Sequence, residues 1–185
     1  MFGRLLRRAT HDDAIATRLY GAIVAQARTP ALYSSLGVPD TVTGRFEMVV
    51  LHTVLVLDRL QRDQRERALG QKIFDLYCID MDRSLRELGI GDLGVPKRMK
   101  KMTEAFYGRA AAYRAAISAG DAAALADAIC RNVFAGEPAA PGAVGLADYV
   151  SASAMHLGNV STDLLADVSS PFADLHAIAK AGAAA

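Results

Sequence analysis

FEMVVLHTVLVL, residues 46–57, decides the fold. Wound at 100° per residue, this stretch puts apolar side chains on every side of a helix, and such a helix must be covered all round. Twelve residues are too few to cross a bilayer, which needs about 20. The segment is therefore expected to be the central buried helix of a bundle, within a longer helix over about 44–68. Arg45, His52 and Arg59 fall within about 40° of one another on this cylinder and form a single polar stripe. The stripe reads first as a solvent-facing seam, since charged side chains favour water, and otherwise as the lining of a groove.

The sequence on both sides has the same helical character. Ala, Leu, Arg, Glu, Gln, Lys and Met dominate, and no apolar/polar alternation persists long enough for a sheet. A first helix is expected from Thr10, with Asp13 completing a capping box, to about Arg28, burying Ile15, Leu19, Ala22 and Ile23. A short turn, PALYSSLG, runs from Pro30 to Gly37. After a charged hinge at 62–72, a helix over about 71–88 would bury Ile73, Phe74, Tyr77, Met81, Leu85 and Leu88. Its outside carries the pairs Asp82–Arg86 and Arg83–Glu87, and Gly89 is its C-cap. A helix over 95–119 opens at Pro96 and carries a stripe of Met99, Met102, Phe106, Tyr113 and Ile117. Gly120–Asp121 ends it and caps the next helix, 122–134. AGEPAAPGAVG (135–145) is a loop before a C-terminal helical pair over about 145–180, in which Ser170 caps the last helix. The expectation is all-α: one irregular bundle of six to seven helices over residues 1–185, with no sheet and a fraying Ala tail.

Composition narrows the function classes. The chain has 185 residues, 52% hydrophobic and 22% charged, with a net charge of +1. That is a globular composition, and it lacks the basic excess of a dedicated DNA binder. Residues 1–135 carry 20 Lys/Arg against 15 Asp/Glu, whereas residues 136–185 carry one against five. The halves are expected to attract each other, or only the first to meet anionic partners. Cys78 and Cys130 lie too far apart for a CxxC motif, and no run of 18 apolar residues occurs. A cytoplasmic protein is the default.

Motifs for catalysis are missing. GIGDLG (89–94) spells GxGxxG, but that fingerprint works between a strand and a helix, and here a helix precedes it. His11, His52, His156 and His176 form no HxxxH or HExxH pair, and Ser151 and Ser153 lie in no nucleophile elbow. His52 is read as a hydrogen-bonded buried histidine, with haem ligation as the sharper alternative. PKRMKK (96–101) is the densest basic patch: Lys97, Arg98, Lys100 and Lys101 sit in a first helical turn, where cations oppose the macrodipole. A solvated surface is the simpler reading; ribosomal RNA or an anionic membrane surface is the functional one.

Four ordered motifs add a resemblance. QAR-P-LY and GVPDT-GRFE lie within residues 19–52, and DMDRSLRE-G-GD and KKM-EAFYGR within residues 74–113. Together they resemble the ubiquinol–cytochrome c chaperone family over about residues 12–135. The resemblance implies an assembly chaperone, not an enzyme and with no cofactor, that holds newly made cytochrome b during biogenesis of the bc1 complex. Mitochondrial members have a long N-terminal extension, contact the ribosome and use a small partner protein. This chain looks like the compact bacterial form, so the resemblance leaves the ribosome and the small partner protein open. A peripheral position at the inner membrane suits such a client.

The client surface is expected where GRFE and EAFYGR meet. Arg45, Phe46, Phe106, Tyr107 and Arg109 set arginines beside aromatic residues, an interface combination, and His52 lies on the same helix. The rival reading pairs Asp80 or Asp82 with Arg45 or Arg109 and makes these motifs scaffold. Met48, Met81, Met99 and Met102 would offer soft surface where exposed, and core packing otherwise.

Overall fold

The computed structural model describes residues 2–62, 64–137, 141–165, 171–175 and 177–178, and every regular element among them is helical. The elements are α1 (Phe2–Ala27), α2 (Pro30–Ser34), α3 (Val42–Arg59), α4 (Gln64–Glu87), α5 (Val95–Ala119), α6 (Ala122–Val133), α7 (Pro141–Asn159) and α8 (Thr162–Leu165). The all-α expectation is met. α3 is the axis of the bundle and packs against α1, α4, α5, α6 and α7. Residues Glu47 to Val56 are buried without interruption. Burial on all sides is what an apolar cylinder demands, because each face needs a neighbour to exclude water.

The entry to α3 is fixed by two local contacts. Thr41 caps the helix, its hydroxyl accepting from the Gly44 N–H at 3.1 Å. Gly44 lies against the preceding loop so closely that an added Cβ would sit 1.9 Å from the Pro39 carbonyl oxygen. Only glycine fits there.

Several boundaries differ from the sequence expectation. α1 starts at Phe2 and not at Thr10, because residues 2–9 contain helix formers and need no cap at Thr10. α3 stops at Arg59 instead of running to 68, and α4 starts at Gln64 within the supposed hinge. The Glu66 side chain reaches back to accept from the Arg62 N–H at 3.0 Å, the return half of a helix-start cap. Leu88, expected in the core, is 61% exposed, because the helix ends beside it. α7 begins at Pro141 and ends at Asn159, and a separate turn, α8, follows. The proposed cap at Ser170 and the helix end near Lys180 lie outside the described residues, as do His176 and the Ala tail.

Other caps are as read. Gly120, at φ +64, closes α5, and Asp121 Oδ1 accepts from the Ala124 N–H at 2.9 Å to open α6. The outer pairs of α4 are present, Arg86–Asp82 at 2.7 Å and Arg83–Glu87 at 3.9 Å.

Candidate functional site

α3, α4 and α5 leave a cleft of about 500 Å3 between them. Its floor is Val54, Leu57 and Phe106, and its walls are Phe74 from α4 and Tyr107 from α5. The rings form a cluster, with Phe74 5.1 Å from Phe106 and 5.7 Å from Tyr107, and Tyr77 behind them 5.1 Å from Phe106. Phe106 is buried, whereas Tyr107 remains 58% exposed. Adjacent positions on one helix point about 100° apart, so one ring anchors the wall and the next overhangs the opening. Arg67 and Arg114 stand at the rim, Arg114 bonded to Asp58 at 2.5 Å. An aromatic cleft with cationic edges suits an apolar helical segment ending in polar groups.

One ion pair joins the GRFE and EAFYGR motifs, of which only EAFYGR lines this cleft. Arg109 of EAFYGR donates two hydrogen bonds at 2.6 Å to the carboxylate of Glu47 in GRFE. Glu47 is 3% exposed and Arg109 19% at the side chain, so the fork is largely out of water. Burial raises the Glu47 pKa, against the pull of Arg109. The rival reading paired these arginines with Asp80 or Asp82; those carboxylates pair instead with Arg83 and Arg86. Arg45 pairs with Asp40 at 2.6 Å, in a separate depression with Arg28, Tyr33 and Ser34. Phe46 is half-buried against the core. EAFYGR also lies mid-helix in α5, and not beside a loop.

His52 faces inward, away from the cleft's opening. It is 0% exposed and its Nδ1 is 2.7 Å from the Met48 carbonyl. A carbonyl only accepts, so Nδ1 carries the proton and Nε2 accepts from the Tyr149 hydroxyl at 2.9 Å. Gln26 in turn donates to Tyr149 at 3.0 Å. Burial pushes the His52 pKa down to about 4, opposed by the bond to Met48. Both ring nitrogens are engaged, so none is left for iron. The stripe of Arg45, His52 and Arg59 is thus neither a solvent-facing seam nor a groove lining: its last two members are buried. Arg59 holds the C-terminal segment, donating to Leu157 O at 2.9 Å, Val160 O at 2.8 Å and Glu66 Oε1 at 2.9 Å. The link between basic and acidic parts thus runs partly through carbonyls.

Met48 and Met81 are core, whereas Met99 and Met102 are half-buried. Lys97, Arg98, Lys100 and Lys101 are all exposed. No cluster of metal-ligating side chains occurs among the described residues. No helix among them is long and apolar enough to cross a membrane. Sequence reasoning missed Leu57, Arg67 and Arg114 as cleft residues and assigned Phe74 to the core. Phe74 lies outside the four motifs, and its half-exposure depends on how far α5 stands from α4.

Comparison with known proteins places these features. The family described as ubiquinol-cytochrome C chaperone matches residues 34–170. The crystal structure of the Cbp3 homolog from Brucella abortus is 44% identical, covers 95% of this chain and 98% of its own, and superposes with a TM-score of 0.85. No curated protein sequence matches.

Proposed function

As the chain belongs to the ubiquinol-cytochrome c chaperone family, we propose that it holds newly made cytochrome b while the bc1 complex assembles, and that the client lies in the cleft between α3, α4 and α5. It is an assembly factor and not a catalyst. The observation that carries the location is Tyr107, an exposed ring standing on the Phe74–Phe106 wall. A membrane-protein client presents apolar helices with short polar ends. The cleft's aromatic walls fit the first, and the arginines at its rim fit the second. The surface joined by the two motifs therefore divides its labour. Tyr107 makes the contact, buried Phe106 supports it from below, and Arg109 holds α5 against α3.

Two experiments test this. Deleting the gene should deplete assembled bc1 complex in membranes, and a normal level would end the chaperone reading. Tyr107→Ala should weaken client capture about tenfold, the scale of an interface tyrosine, with little change in melting temperature. Undiminished capture by Tyr107→Ala would move the client elsewhere on the molecule.

A further inference from the structure

The connection between α4 and α5 is tied by backbone hydrogen bonds, apolar at its tip and followed by four cations. α4 ends in a Schellman arrangement: Gly89 stands at φ +81, its N–H bonds to Arg86 O at 2.9 Å, and the Ile90 N–H bonds to Leu85 O at 3.1 Å. A second turn closes where the N–H groups of Gly94 and Val95 bond to Gly91 O at 2.8 and 3.2 Å. Arg86 forms an ion pair with Asp92 across the loop. This framework presents Leu93 at 98% exposure and Leu88 at 61%. A single exposed leucine is ordinary. Two held out beside four cations are not.

The cations have no structural use where they stand. Lys97, Arg98, Lys100 and Lys101 occupy the first two turns of α5, where the macrodipole repels positive charge. Lys100 has only an exposed, long contact to Glu104, at 3.9 Å, and the other three make no ion pair among the described residues. Nearby acids are already engaged: Asp92 by Arg86, and Glu87 at 3.9 Å by Arg83.

We propose that this connection docks the protein on an anionic lipid bilayer, with Leu88 and Leu93 entering the interface and the four cations meeting the headgroups. Aliphatic side chains gain from the acyl boundary while lysines and arginines gain from anionic lipid, and the two effects add. An RNA surface fits less well. Residues 86–101 contain no aromatic ring to stack on bases, and two exposed leucines do nothing for a phosphate backbone. A second copy fits less well too, because a symmetric contact would face cation with cation. Tyr107 lies on the same helix, roughly 17 Å along its axis from Pro96. Docking here would set the cleft close to a segment leaving the bilayer. That last clause rests on the cytochrome b reading; the docking itself does not.

The test is co-sedimentation of the full chain with vesicles of phosphatidylglycerol and phosphatidylcholine, and with phosphatidylcholine alone, without client. Binding should need the anionic lipid and weaken as salt rises. Leu93→Ser should reduce it about tenfold. Lys97→Glu with Lys101→Glu should reduce it by at least about fivefold per residue. The melting temperature should hold in both variants, since these side chains are exposed. Tyr107→Ala should bind vesicles like the wild type, which separates failure of docking from failure of client capture. Vesicle binding unchanged by Leu93→Ser would overturn the proposal. So would an absence of vesicle binding alongside cation-dependent binding of an RNA oligonucleotide.

Discussion

Acid should loosen the packing of α3 on α7 through one residue, His52. Its ring is fully buried, and the groups within reach are the Met48 carbonyl, the Tyr149 hydroxyl and the edge of Phe172 at 4.8 Å. None is a carboxylate, so a protonated ring would be a buried cation with no counter-charge. Burial lowers the pKa from 6.5 to about 4, with the Met48 bond opposing. Between those values the unfolded chain binds a proton that the folded chain refuses. Stability therefore falls as pH drops from about 6.5, and this loss levels off below about 4. Integrated from pH 7 to 4.5, the loss is about 2.5 kcal/mol, from about 1.4 kcal/mol per pH unit of separation. Glu47, held above its ordinary value by burial, contributes with the opposite sign. Burial also pushes Glu66 up, but bonds from Thr162, Arg59 and the Arg62 N–H outweigh it and hold Glu66 low, so its contribution is lost only below about 4.5. His52→Gln removes the histidine term and leaves those two in place. Urea unfolding of both proteins at a series of pH values is the assay. The wild-type advantage over His52→Gln should shrink by about 2.5 kcal/mol between pH 7 and 4.5. Parallel pH profiles would refute a neutral, buried His52.

Arg109→Ala strands the Glu47 carboxylate in the core and should cost about 3 kcal/mol in chemical denaturation, whereas Glu47→Gln with Arg109→Met should cost less, because no charge is left unpaired. Arg59→Lys should loosen the C-terminal segment, since an ammonium cannot span Leu157 O, Val160 O and Glu66 together; faster proteolysis near residue 160 is the readout, and unchanged cleavage would count against the clamp. Gly44→Ala should cost about 2 kcal/mol, because the new methyl group meets the Pro39 carbonyl and the loop must move; a neutral effect in thermal melts would show that the loop yields freely.

Residues 46–57 determined the centre of the bundle by themselves. A helix apolar on every face has one stable location, and hydrophobicity is a local property that composition reveals. Gly120–Asp121 and Gly89 marked helix ends for an equally local reason, the backbone conformation that glycine permits. The boundary at Arg59 was less visible, because the Glu66 cap that starts α4 lies inside a run of charges that reads as solvent-facing. The four ordered motifs were enough to indicate the family, which the comparisons bear out. What the motif residues do is a different matter. Arg45 and Arg109 look alike in sequence, one next to Phe46 and the other two positions after Tyr107. One is an exposed surface pair with Asp40; the other is a buried fork on Glu47. Leu85 and Leu88 stand three positions apart in sequence, yet α4 ends between them and only Leu85 is covered. His52 was legible as a buried histidine, but its partner Tyr149 lies 97 positions away. Burial, charge pairing and the cleft at Phe74 and Tyr107 depend on which distant helix stands opposite each face. Tertiary packing alone decided them, because desolvation and Coulomb energy depend on distance in space and not along the chain.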